Sequence, residues 1–276
     1  VEDLAKTKPS ELKQADKFIL KQKTMVGRLN GLKGMAWAYA LLYHTGLTAS
    51  TASKKFSPDK APKFDKTGKL VITNHIYRYF RGETSPKFGP RGKHNFDLIK
   101  VVDEDPLGRL ATPWLTHPLW TILHPDTNIR HIREFLNGMP KEYTNIAFSF
   151  YSSNAMFNRV DDPRKALRVL YRMGTFEAYT AVLALLRESN LTGNRVLNEH
   201  AYATHRLMYP KLLGEPIFNG IHAPFIHFVE AYNGYYTTPE TPAQLDKEPL
   251  TGITITYTSR YGIDPFKFLY LFQEDD

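Results

Sequence analysis

The sequence predicts a mainly α fold: a body of short helical-hairpin repeats, α-solenoid-like, with extended N- and C-terminal arms and a minor β element. Three observations lead there. Apolar residues recur at helical spacing between proline breaks through the middle of the chain, a segment opening at Tyr143 returns in altered form at Tyr179, and both ends change composition. With 276 residues, 42% of them hydrophobic and 23% charged, the chain has the apolar content to bury a substantial core.

Residues 1–48 read as a basic N-terminal helical arm. Ser10 after Pro9 is an N-cap candidate, and Leu12, Ala15, Ile19, Met25, Val26, Leu29 and Leu32 then follow at near-helical spacing. The opposite face carries Lys13, Lys17, Lys21 and Lys23, a pattern suited to an anionic membrane surface or an acidic groove. Gly34 to Leu47 is the most apolar stretch and is expected to be a buried helix anchoring the arm. It falls well short of the ~20 residues that span a bilayer, so no transmembrane span is expected.

Residues 49–105 read as an extended segment rich in proline and lysine, with Leu70–Phe80 as its strand-like run because of its β-branched and aromatic content. Residues 106–235 form the expected helical-repeat body. Asp162 before Pro163 marks a helix start; Ala166, Leu167, Leu170 and Tyr171 line one helix, and Tyr179, Val182, Leu183 and Leu186 the next. Residues 236–276 read as a linker, a strand over Thr254–Thr258 and an aromatic arm from Asp264 to Phe272.

The segment from Tyr143 to Met156 matches that from Tyr179 to Thr192, 36 residues later, with Tyr-Thr and Ser-Asn in register. Each follows a helix that ends near a methionine, Met139 or Met173. A helical hairpin recurring at this period is the signature of an α-solenoid, whose units hide their apolar faces against one another. Residues 128–194 thereby resemble the pentatricopeptide-repeat family, with ALRVLYRMGTFEAYTAVLALLRESNLTG as the best match. The resemblance implies RNA contacts from the early helix positions, here Thr144 and Thr180, together with a boundary residue near Thr175, where that family has Asp, Asn or Ser.

Charge divides the chain. Residues 1–100 hold 20 Lys/Arg against 8 Asp/Glu, and residues 101–276 hold 16 against 20. A basic arm of this kind attracts nucleic acid, anionic lipid or an acidic protein by the same long-range field. The absence of cysteine excludes disulfides, thiolate zinc sites, iron–sulfur ligation and a cysteine nucleophile. The pairs His200/His205 and His222/His227 sit at i,i+5, which turns the rings apart on a helix, so no metal site is expected. No phosphate loop, metalloprotease helix or nucleophile elbow occurs, and Asp103-Glu104-Asp105 before Pro106 reads as a turn or helix start. The Asn190-Leu191-Thr192 sequon is discounted, since such triplets are common by chance.

The expectation is therefore a chain without catalytic, cofactor-binding or metal-binding residues and with no cofactor. Lys13, Lys17, Lys21, Arg130, Arg133, Arg168 and Arg172 are its candidate contacts to partner proteins, anionic lipid of the cardiolipin type, or RNA. A basic, cysteine-free chain opening on Val1 rather than Met further suggests a mitochondrial location, on the matrix side or peripheral to the inner membrane, after removal of a presequence. These features together lead to the expectation of a non-enzymatic accessory subunit, a scaffold in a respiratory-chain complex or ATP synthase. The alternative is an organellar RNA-binding or mitoribosome-associated repeat protein.

Overall fold

A computed structural model describes residues 24–56, 63–64, 70–71, 75–90, 97–140, 142, 148–150, 157–159 and 163–232. They are mainly helical and divide into two compact units. The first comprises residues 1–120 with 214–226, and the second residues 121–213 with 227–276.

In the first unit the central element is α1, Met25–Thr45. Thr24 caps it by accepting from the Gly27 amide at 3.1 Å, and Gly46 ends it at a φ of 65°, in the left-handed region that glycine tolerates. One helix thus carries both the end of the expected arm helix, from Met25 to Leu32, and the buried run from Gly34, while the Ser10 start lies outside the described residues. From Gly34 to Leu42 every residue is buried, which a helix achieves only when neighbours cover it on all sides. Among the described residues, no helix is long and apolar enough to cross a membrane.

Two close approaches fix what packs against α1. A Cβ on Gly34 would lie 2.1 Å from the Thr84 carbonyl oxygen, and one on Gly220 would lie 2.3 Å from the Tyr39 ring, so both positions need a residue without a side chain. Trp37 meets Tyr79 edge-on at 5.7 Å between ring centroids, and Tyr39 meets Phe80 at 4.5 Å.

The proline- and lysine-rich segment departs from the extended form expected of it. It contains three short helices, α2 (Ala49–Lys55), α3 (His75–Phe80) and α4 (Leu98–Asp103), besides an antiparallel pairing of β1 (Lys63–Phe64) with β2 (Leu70–Val71). Local capping explains two of them. Thr48 and Thr51 form a reciprocal capping box at the start of α2, and the Asp97 carboxylate accepts from the Lys100 amide at 3.1 Å at the start of α4. The expected strand over Leu70–Phe80 gives way to helix at His75. Ile76 and Phe80, four residues apart, are both buried while Arg78 is exposed, so packing onto α1 overrides the β propensity of the run.

Asp105 opens the next turn. Its carboxylate accepts from the Leu107 and Gly108 amides at 3.0 and 2.8 Å and pairs with Lys55, and these contacts hold its pKa below the ordinary 3.8, the Lys55 hydrogen bond being the largest cause. This is the turn role expected of Asp103-Glu104-Asp105. A short 3-10 turn, Gly108–Ala111, leads into α5 (Thr112–Thr116) and α6 (Leu119–Ile122).

The second unit is built from α7 (Ile129–Gly138), α8 (Pro163–Met173), α9 (Phe176–Thr192) and α10 (Arg195–Met208). Asn128, Thr175 and Asn194 cap α7, α9 and α10 through their side-chain oxygens. Gly174, at a φ of 63°, makes the turn between α8 and α9. Helix α9 is buried from Ala178 to Leu186, and α8 turns Ala166, Leu167 and Leu170 inward, as its spacing predicts. A final helix, α11 (Pro216–Tyr232), gives its residues up to Ile226 to the first unit and those from His227 to the second.

Of the earlier copy of the 36-residue recurrence, only residues 148–150 are among those described. Where the copy of α9 would run, β3 (Phe148–Phe150) is extended and pairs antiparallel with β4 (Phe157–Arg159). Phe148 and Phe150 alternate with Ser149, a period-2 pattern that favours a strand over the helix of the later copy. The expected strand at Thr254–Thr258 and the aromatic arm lie outside the described residues.

Candidate functional site

The densest polar arrangement among the described residues is a buried network in the second unit, formed by α9, α10 and the last turn of α11. Tyr202, His205 and Arg206 lie at i, i+3 and i+4 on α10 and so share one face of that helix. Glu230 of α11 faces them. Its carboxylate accepts from the Tyr202 hydroxyl and from the Arg206 guanidinium, both at 2.7 Å. His205 Nε2 lies 3.7 Å from the same carboxylate, and His205 Nδ1 is 2.8 Å from the Tyr179 hydroxyl of α9.

Burial sets the charges. His205 and Tyr179 are fully buried, and the Glu230 and Arg206 side chains are only 7% and 8% exposed. Burial drives the His205 pKa below the ordinary 6.5, outweighing the contact with Glu230 that opposes it. Burial also pushes the Tyr179 hydroxyl well above its ordinary range. For Glu230 burial alone would raise the pKa, but the His205 ring, the Arg206 charge and the Tyr202 hydroxyl overcome it, leaving the carboxyl below the ordinary 4.5. The resting state is a neutral His205 beside an Arg206–Glu230 ion pair, with no net charge. Assigning the imidazole proton to Nε2, toward the carboxylate, leaves Nδ1 to accept from Tyr179 and so satisfies the hydroxyl.

A carboxylate, an imidazole and a hydroxyl in series have the geometry of a proton relay that activates a nucleophile. Here the hydroxyl at its end belongs to a fully buried tyrosine, so no substrate atom approaches it in this conformation. What the network does is hold three helices in one register.

A second polar knot locks α9 to α10 across the Gly193 turn. Asn198 Nδ2 donates to Ser189 Oγ at 2.9 Å and to Asn190 Oδ1 at 2.8 Å, which engages the amide of the discounted sequon. Nearby, the Arg187 guanidinium donates to the Pro125 carbonyl at 3.1 Å. Glu188, buried, lies 3.6 Å from Arg133.

The candidate contact residues are dispersed. Arg130 is exposed and bonds Glu134 one turn on at 2.7 Å, while Arg133 keeps over half of its side chain in solvent although its Nε reaches toward Glu188. On α8, Arg172 is exposed, and Arg168 is half-buried with its Nε out of solvent and making no hydrogen bond. Lys13, Lys17 and Lys21 lie outside the described residues, as does Thr144. Thr180, the other position implied to read a base, is 1% exposed and donates to the Phe176 carbonyl at 2.9 Å. Thr175 is spent on capping α9.

Among the described residues no group of three His, Asp or Glu could hold an ion. Comparison of the chain with protein-family models, with curated proteins and with solved structures finds no match in any of the three.

Proposed function

We propose that this chain is a non-catalytic accessory subunit that scaffolds a multi-protein assembly, with the mitochondrial inner membrane as its setting and a respiratory-chain complex or ATP synthase as its host. The observation that carries the reading is how the second unit uses its polar residues. Among the described residues the arrangement resembling a relay is sealed and joins helices, whereas other apolar and cationic side chains are exposed. Leu107 and Leu110, one turn apart, are 51% and 43% exposed beside exposed Arg109, and on α8 exposed Lys165 lies one turn before Val169, itself 39% exposed. Surfaces of this kind serve protein partners and anionic headgroups. The basic first hundred residues and the absence of cysteine support the compartment. In this reading the hairpin of α8 and α9 is a worn repeat unit, and the arms and a minor β element extend from it over neighbouring subunits.

Burial of Thr180 speaks against base-by-base reading of RNA, so the RNA alternative rests on phosphate contacts alone. Truncation tests the scaffold reading. Because Leu29 and Leu32 belong to the core of the first unit, the informative N-terminal cut removes residues 1–23 and keeps the Thr24 cap; its C-terminal counterpart removes residues 264–276. Both truncated chains are expected to retain their helical circular dichroism and to be lost from the host complex on native gels of mildly solubilised membranes. Normal incorporation of both sinks the proposal.

A further inference from the structure

We propose that His205 is an acid-sensitive latch: proton uptake by its ring opens the packing of α9, α10 and the end of α11 while the first unit stays folded. This goes beyond the scaffold reading and does not depend on which partner is bound.

The geometry makes the neutral ring a condition of the closed state. His205 Nδ1 has to accept from the Tyr179 hydroxyl at 2.8 Å, and a second ring proton turns that acceptor into a donor and forces the hydroxyl to reverse. The new charge also lacks a counterion of its own. The groups facing the ring are Tyr179 of α9, Tyr202 and Arg206 of α10, Tyr209 of the 3-10 turn Tyr209–Gly214, and Glu230 of α11. Glu230 is the anion among them, and Arg206 already holds it at 2.7 Å, so protonation takes the network from no net charge to +1 in a site sealed from water. Tyr179 and Tyr202 lie against the same ring, and each belongs to a different helix contact. The tilted contact of His205 with Tyr209 extends the cluster to the end of α10. One added proton therefore loads three helices at once.

The direction follows from linkage. The folded His205 binds its proton less readily than the unfolded one, so the stability it contributes is complete above the ordinary 6.5 and declines as pH falls below it. For one proton the ratio of closed to open states falls about tenfold per pH unit until the folded pKa is reached.

The test is hydrogen exchange on the full chain between pH 7.5 and 5.0, corrected for the intrinsic pH dependence of exchange. Protection factors of amides in α9 and α10 are expected to fall about tenfold per unit below pH 6.5, with those in α1 unchanged. In His205→Gln the protection of α9 and α10 is expected to be lower at pH 7.5 and flat across the same range. His44, whose pKa burial also lowers, lies in the first unit, so His44→Gln should leave the α9 and α10 slope intact. Equal slopes in wild type and His205→Gln overturn the proposal, as does a flat wild type. Should His205→Gln fail to fold, nitrogen-15 imidazole spectra of the wild type decide: the His205 ring is expected to stay neutral until α10 protection is lost, and a ring that titrates near 6.5 in the closed protein overturns the latch.

Discussion

Replacing Arg206 by Met isolates the charge that keeps Glu230 ionised inside the second unit. Methionine keeps a flexible stem of similar reach, so the main loss is the 2.7 Å guanidinium–carboxylate contact, together with a cation–π approach of 5.5 Å to Tyr209. With both side chains less than a tenth exposed, removing one partner strands the other charge, which costs about 3–5 kcal/mol rather than the ~1 kcal/mol of a surface pair. Tyr202 still donates to Glu230, and His205 can take up a proton to stand in for the lost cation, so the lower end of that range is expected near pH 6 and the upper end near pH 8. Arg206→Met with Glu230→Gln removes both charges and is expected to recover at least ~1 kcal/mol relative to Arg206→Met alone. Urea unfolding followed by far-ultraviolet circular dichroism supplies the magnitude. Tryptophan fluorescence, whose three sources Trp37, Trp114 and Trp120 all lie in the first unit, reports on that unit separately. A loss below ~1 kcal/mol for Arg206→Met, or no recovery in the double variant, would refute the account of a buried, mutually neutralised pair.

Gly34→Ala puts a methyl group 2.1 Å from a backbone carbonyl that cannot swing away, so destabilisation of about 1–3 kcal/mol is expected in tryptophan-monitored unfolding, whereas the same change at an exposed helical site stabilises by about 0.4–1 kcal/mol. Acid should act twice on the second unit. Glu230 has a folded pKa below the ordinary 4.5, so its contribution is present above that value and lost as pH falls through the folded pKa, giving a second decline beneath the histidine-linked one that Glu230→Gln abolishes. If anionic headgroups are contacts of the basic arm, Lys13, Lys17 and Lys21 together contribute about 1 kcal/mol each, and changing all three to Gln should weaken binding to cardiolipin-containing vesicles roughly a hundredfold, with neutral vesicles unaffected.

Helix positions were legible where local signals agreed. The apolar run from Gly34 and the paired periods of α8 and α9 are evident in residue spacing, and Pro163, Gly174 and Gly193 punctuate them where the helices begin and end. The strand reading of Leu70–Phe80 failed from His75 on, because β-branched and aromatic residues also suit a short helix once Ile76 and Phe80 have α1 to pack on. Within the recurrence at Tyr143, the shared Tyr-Thr and Ser-Asn pairs say little about the residues between them, and Phe148-Ser149-Phe150 carries its own alternation. The buried network was only half visible. Tyr202, His205 and Arg206 at i, i+3 and i+4 on one helix were a readable sign, but Glu230 lies 24 residues beyond Arg206 and Tyr179 lies 26 before His205, and spacing does not join them. Spacing sets His205 only against His200, whose ring it turns away from, whereas its partners Tyr179 and Glu230 come from other helices.

Recovery of the tagged chain from mildly solubilised mitochondria, with and without nuclease, tests the scaffold claim most directly. The account predicts stoichiometric inner-membrane partners that survive nuclease and are lost when residues 1–23 or 264–276 are removed. Recovery with RNA or ribosomal proteins that disappears on nuclease treatment, or recovery of the chain alone, would contradict it.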